Sequence, residues 1–453
     1  MCRKNRLLVL VIVFALSIAG CKKWDDHTKV GNPDLKENLL EGLTVNANLS
    51  KFTEYVKKAG LDSLLTSSKT YTVWAPTNDA LQNLDPAIVN DVAKLRSFVS
   101  NHISNQSYYT RDAKTTLRIA MLNGKYNNFL NNKLEDATIV RPDVPLKNGV
   151  LHVIDKSIAV LPSLWEFVNS TTGQYAQNAF AAALNFNFFD STLAIVDSIS
   201  AITGKPVYKP GTGLILKNRF NEQVYNFKTE SKQYTYFVIA NAGFTTESDS
   251  LKVYFATGNA ANTDTLAKWT TVKDLAVEGV YPASALTGLI SRSGVPIPLD
   301  PSLIVETRKL SNGIVHILSK VDVRTAAKFP DIIVQGEFPS GFLSDRRGNT
   351  NFRERVNPVT QKDFTDMMIT GHGVTTYYAF YRLQAMPSMK YNVYALGTND
   401  FTGTAFTQNI IPKFYVPPAT PAGLPTYTTL ATLAHVVPIF TVAGAYDEKL
   451  LGE

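Results

Sequence analysis

Six histidines (His27, His102, His152, His316, His372 and His435) and two cysteines (Cys2 and Cys21) are the side chains best suited to moving protons, holding metals or attacking carbonyls. A metal site needs several such groups at short fixed spacing, and a nucleophile needs a neighbouring base. The histidines have no paired spacing, and G-x-S-x-G, H-E-x-x-H, phosphate-loop, G-x-G-x-x-G and EF-hand patterns are missing from the sequence. No metal, cofactor or catalytic residue is therefore expected, and a glycan-degrading enzyme would rest on carboxylates alone.

Cys21 has neighbours that support one thiol reaction. Arg3, Lys4 and Arg6 form a positive segment, Leu7 to Ile18 an apolar run, and Ile18-Ala19-Gly20-Cys21 a small-residue cleavage site ending in a thiol. These residues resemble a bacterial lipobox, which implies cleavage before Cys21 and acylation there, anchoring the chain by lipid and leaving no cysteine pair for a disulfide. The formal charge of +7 falls to +4 over the remaining 433 residues once Arg3, Lys4 and Arg6 are removed, which argues against a nucleic-acid partner. A composition of 45% hydrophobic and 18% charged residues points to packed cores rather than disorder.

Two of the histidines sit in the same phrase. Asn148 to Lys156 reads N-G-V-L-H-V-I-D-K around His152, and Asn312 to Lys320 reads N-G-I-V-H-I-L-S-K around His316. Tyr71 to Leu81 and Tyr234 to Phe244 align upstream, with Asn78 and Asn241 in the same place; Asn78 precedes Asn148 by 70 positions and Asn241 precedes Asn312 by 71. Such spacing marks a duplicated domain. After an Asn-Gly turn, Val150, His152 and Ile154 face one way and Leu151 and Val153 the other, so each phrase reads as a central strand whose histidine belongs to the core.

The elements around these strands follow from periodicity. Apolar residues between Asn38 and Leu65 recur at helical spacing, with Gly60 as a C-cap, and Tyr71 to Ala75 alternates as a strand before a Pro76-to-Asp79 turn that caps a helix near Ala80. In the second copy Leu164 to Val168 opens a helix, Tyr175 to Ile199 reads as a buried helical layer, and Thr203 to Gly213 as an inserted loop. Strand character resumes at Gln223 to Phe227, and Ser291 to Pro301 reads as an exposed loop before a strand from Leu303 to Leu310. From about Lys328 only strands are expected, at Asp331 to Val334, Thr375 to Leu383, Lys390 to Leu396 and Ala434 to Thr441.

The first signature, Tyr71 to Leu81, and the second, Asn148 to Lys156, resemble those of fasciclin-like domains. Between them Asn101-His102 stands where that family has Tyr-His. The resemblance implies an α+β fold of two tandem β-wedge domains with helices, an extracellular adhesion role and no catalytic centre. Asn78, His102, Asn148, Gly149, His152, Asn241, Asn312, Gly313 and His316 are its structural signature here. The expected organisation is a signal at 1–20, a lipidated tether at 21–34, fasciclin-like domains at 35–161 and 162–326, the second divergent, and an all-β sandwich or jelly roll at 327–453. The N-terminus resembles a bacterial lipoprotein signal, and Lys22 to Asp26 resembles the surface-export signals of Bacteroidota lipoproteins. The last third resembles carbohydrate-binding sandwiches, with Tyr377, Tyr378, Tyr381, Tyr391 and Tyr394 as candidate sugar platforms and Arg346 and Arg347 as candidate contacts to acidic glycans. Together these features imply an outer-membrane, surface-exposed, non-enzymatic lipoprotein. Its partners would be glycans or membrane proteins such as a TonB-dependent uptake porin, the alternative being a structural envelope subunit.

Overall fold

The computed structural model describes residues 36–297, 299–321, 325–343, 349–384, 386–416 and 426–453. Cys21 with its signal and tether, and Arg346 and Arg347, lie outside the described residues. The chain divides into two compact units, one running to Ser248 and taking in 268–323, the other formed by 249–267 and 324–453.

In the first unit the phrases found by spacing are the sheet centres. The first repeat pairs β1 (Tyr71–Pro76), β2 (Ile103–Ser104), β3 (Leu117–Ala120), β4 (Tyr126–Leu130), β5 (Lys133–Leu134), β6 (Ala137–Leu146) and β7 (Gly149–Ile154) in the order β2-β1-β7-β6-β5-β4-β3. Strands β1 and β7 run parallel, with Tyr71 opposite Gly149 and Trp74 opposite His152. Parallel neighbours need a crossover and cover on both faces, and all six residues of β1 are buried. The covering helices are Leu39–Thr44, Ser50–Lys58, Asp62–Thr66 and Val92–Ser100. They bring Leu39, Leu43, Phe52, Val56, Leu65, Leu95 and Phe98 onto Val73, Leu151 and Val153.

The second repeat contains β8 (Asn185–Phe189), β9 (Val196–Ile199), β10 (Pro206–Tyr208), β11 (Leu214–Asn218), β12 (Tyr234–Ile239), β13 (Ala276–Glu278), β14 (Ile304–Leu310) and β15 (Gly313–Leu318). Its central sheet has the order β13-β12-β15-β14 and the same register, with Tyr234 opposite Gly313 and Phe237 opposite His316. Three expectations fail in this repeat. Helix stops at Ala183, and the Phe- and Ile-rich stretch after it forms β8 and β9, whose residues are exposed rather than a buried layer. Gln223 to Phe227 is no strand, because Asn218 accepts hydrogen bonds from the Phe220 and Asn221 amides and starts the helix Arg219–Gln223 there. The segment after Ser291 turns inward, burying Val295 and Ile297.

Among the described residues the second unit pairs its strands two by two. These are β16 (Gly341–Phe342), β17 (Thr350–Val356), β18 (Asp363–Ile369), β19 (Ala379–Phe380), β20 (Val393–Ala395), β21 (Phe406–Ile410), β22 (Lys413–Val416), β23 (Thr426–Thr429), β24 (Leu433–Val437) and β25 (Lys449–Gly452). The pairs are β16-β19, β17-β18, β20-β25, β21-β24 and β22-β23. In place of the two packed sheets of a sandwich, apolar residues such as Phe352, Phe414, Leu430 and Val436 stay exposed among the described residues. Residues 331–335 form no strand.

Candidate functional site

Each histidine of the repeated phrase is closed in by hydrogen bonds. The backbone amide of Asp143 donates to Nδ1 of His152 at 3.2 Å, so the proton sits on Nε2, which donates to the Tyr108 carbonyl at 3.0 Å. Nε2 of His316 likewise donates to the Tyr281 carbonyl at 2.8 Å, and its Nδ1 accepts from the Thr307 hydroxyl at 2.9 Å. An aromatic ring stacks on each imidazole, Trp74 on His152 with centroids 5.5 Å apart and Phe237 on His316 at 5.9 Å. Both rings are fully buried, and burial holds His152 below its ordinary pKa despite its bond to Tyr108 and the Asp143 carboxylate 3.9 Å away. These are cross-braces of a sheet, with no nitrogen left to bind a ligand.

The rest of the signature is structural in the same way. Asn148 accepts from the Leu39 amide and donates to the Leu65 and Ser67 carbonyls, and Asn312 does so with Leu164, Phe227 and Thr229. Asn78 starts the helix Ser50–Lys58 by accepting from the Lys51 amide and donating to the Ala47 carbonyl. Asn241 does the same for the helix Ala176–Ala183 through Ala176 and Gln174. Within the Pro76-to-Asp79 turn the cap near Ala80 is Thr77, whose hydroxyl accepts from the Ala80 amide. A Cβ on Gly149 would lie 1.8 Å from the Tyr71 carbonyl oxygen, and one on Gly313 2.0 Å from that of Tyr234. His102 Nδ1 donates to the Phe98 carbonyl and Nε2 accepts from the Ile158 amide, both at 2.9 Å.

The candidate tyrosines are dispersed. Tyr378 and Tyr394 are 51% and 55% exposed, beside β19 and in β20. Tyr381 donates to the Gly336 carbonyl, Tyr391 to that of Pro387, and Tyr377 stacks on His372 at 4.8 Å. Arg353 and Arg355 converge on Asp366 and Asp400, an ion network internal to the second unit.

Two features escaped sequence reasoning. One is the junction of the repeats. Arg118 donates to the backbone carbonyls of Glu230, Ser231 and Ser311, and Lys125 bridges Glu166 and Glu230 at 2.7 Å each. A cleft of about 330 Å³ opens there, lined by Asn123, Lys125, Trp165, Glu166, Lys228 and Glu230. Burial pushes the Glu166 carboxyl up, but Lys125 and the Ser163 amide outweigh it and hold it below its ordinary range. The other feature is the ribbon at 185–218. The glycines and prolines of Thr203 to Gly213 signal an insertion but not a ribbon, and nothing in the sequence signals the junction, since both depend on which surfaces meet and which stay bare. Among the described residues no group of three or more His, Cys, Asp or Glu could hold a metal ion, and no helix is long and apolar enough to cross a membrane.

Residues 47–160 match the fasciclin domain family. The chain is 29% identical over 135 residues to protein sll1483 of Synechocystis sp., covering 28% of this chain and 74% of that protein. It is 25% identical over 128 residues to the uncharacterized protein sll1735 of the same organism, covering 27% and 96%. It is also similar to the heme ligase of Plasmodium falciparum, at 29% identity over 150 residues covering 27% and 67%. Among solved structures it is similar to a FAS1 domain pair from the insect cell adhesion molecule fasciclin I, with a TM-score of 0.25 and 16% identity over 62% of this chain and 99% of that one.

Proposed function

From the fasciclin domain at residues 47–160, we propose that this chain is a lipid-anchored outer-membrane protein of the cell surface that works by adhesion, binding glycan or protein without catalysing a reaction. The observation that carries the reading is that the second repeat reproduces the first at the level of individual bonds: the Asn148 and Asn312 braces, the Asn78 and Asn241 helix starts and the two buried histidines. On this reading the second repeat is a divergent fasciclin-like domain, its chemistry-bearing side chains are consumed in holding the fold, and recognition falls to surfaces that differ between the copies. Cys21 supplies the anchor, and the C-terminal unit, with Tyr378 and Tyr394 exposed, supplies a second binding surface, as an accessory of a TonB-dependent glycan-uptake complex.

A glycan array and an envelope pull-down with the soluble chain from Lys22 onward test this. Binding to a glycan class or retention of an outer-membrane protein is expected; a chain that holds neither overturns the proposal. The close joint between the repeats favours one further reading, a scaffold that only spaces its neighbours. That reading predicts partner retention unaffected by Tyr378→Ala and Tyr394→Ala.

A further inference from the structure

In the first repeat, Ala59-Gly60-Leu61 joins the helices Ser50–Lys58 and Asp62–Thr66 in a tight turn. The corresponding joint of the second repeat, between the helices Ala176–Ala183 and Arg219–Gln223, carries the whole ribbon of 185–218. Its base pairs β8 with β11 and its outer part β9 with β10. Phe189 faces Leu214 across the base and Phe188 faces Ile215, so alternate residues put apolar groups on both faces. Phe186, Phe188 and Phe189 are 41%, 42% and 45% exposed, Leu214 and Leu216 52% and 65%. Toward the tip Ile199 is 61%, Val207 44% and Ile202 96% exposed. A ribbon two strands thick has no interior to hide them. The bare apolar surface is on the order of 1,000 Å², about what one side of a standard interface contributes.

We propose that this arm docks into the headgroup layer of a lipid bilayer. A fluid apolar medium wets both faces of a thin ribbon at once, whereas the flat surface of a folded partner covers one. The outer stretch carries Lys205 and Lys209 against a single carboxylate, Asp197, which suits anionic headgroups. Cys21 lies 18 positions before Leu39, a span of at most about 60 Å when extended, so the anchor proposed above keeps the unit bearing the arm within that reach of the membrane. The unpaired edges of a two-stranded ribbon keep it in the hydrated boundary and out of the hydrocarbon centre. The inference rests on the anchor for reach alone; the contact itself is independent of acylation.

The test is sedimentation of the soluble chain from Lys22 with vesicles of phosphatidylcholine alone and of phosphatidylcholine with phosphatidylglycerol at about 7:3. The chain is expected to partition onto both and more strongly onto the anionic vesicles. A triple variant, Ile199→Ser, Ile202→Ser and Val207→Ser, alters only exposed tip positions, so its circular dichroism and melting temperature should match the parent while its partitioning falls at least about tenfold. Lys205→Glu with Lys209→Glu should abolish the anionic preference. Equal binding by the triple variant, or no vesicle binding by the parent chain, overturns the proposal. So does an arm-dependent dimer in sedimentation velocity, which would assign the surface to a second copy. Whether Cys21 is acylated is read separately, from the intact mass of membrane-extracted chain, so failure of the anchor is distinguishable from failure of the arm.

Discussion

His102 is fully buried against the rings of Phe98 and Phe52, and burial pushes its pKa down to about 4 despite the bond to Phe98. The unfolded chain titrates near 6.5, so between those values the unfolded state binds the proton that the folded state refuses. The sign is then fixed: the contribution is complete above about pH 6.5 and is lost as pH falls toward 4, by about 3 kcal/mol in all. Urea melts at pH 7.5 and 4.5 should show that loss in the parent chain, and a His102→Gln variant, weaker at pH 7.5, should show a flatter pH profile. An unchanged profile in the variant would remove His102 as the cause. Gly149→Ala makes a sharper demand, because its Cβ meets the Tyr71 carbonyl and cannot be relieved by a rotamer change. A loss of about 3 kcal/mol or more, or failure to fold, is expected in the same melts, and a near-neutral effect would mean that β1 and β7 can separate there. The core role of His152 was legible in the alternation around it, whereas His102 was marked by the family resemblance alone and Gly149 by its turn. What Asn78 does was not legible, since its cap acts on the Lys51 amide 27 positions earlier.

At the scale of elements, periodicity served wherever a segment was covered and misled where it was bare. Tyr71–Pro76 and Gly149–Ile154 are strands as expected, because their apolar residues really are inside. Asn185 to Ile199 has equally apolar composition, and reading that as burial produced a helical layer where there is an exposed ribbon. In the C-terminal part β19, β20 and β24 coincide with stretches expected to be strands while the other seven strands do not, and assembly into one sandwich depended on an apolar interior that the second unit lacks among its described residues, where Leu251, Ala267, Val437 and Ala445 are the buried hydrophobic residues. The ribbon allows a direct check. Asn185 and Asn218 are paired across its base, so excising 186–217 and joining them through two glycines closes the joint without moving either helix. Because the excised residues make no core, stability measured by urea melts should change by no more than about 2 kcal/mol, part of it a gain from the shorter loop. A much larger loss would show that the ribbon packs as an integral part of the repeat.

At the scale of the molecule, the joint between the repeats decides whether the first unit behaves as one body. Arg118 gathers three bonds of that joint in one side chain: a single guanidinium satisfies three backbone carbonyls of the other repeat while lying 4.8 Å over the ring of Tyr126. Lys125 adds a partly buried ammonium between Glu166 and Glu230, and Ser311 donates to the same Glu230 carboxylate. Carbonyls at such a junction lose their partners together when the fork is removed, and lysine, with one compact head, cannot restore three bonds at once. Arg118→Ala should therefore cost about 2–4 kcal/mol of coupling between the repeats while leaving each repeat's own core intact. Calorimetry would read this as the separation of one transition of the first unit into two, with Arg118→Lys intermediate, and limited proteolysis should cut near Pro162, where the repeats meet in sequence. A single cooperative transition that merely shifts down would place Arg118 among ordinary stabilising contacts and leave the repeats coupled by packing and the remaining ion pairs of Lys125 and Lys309.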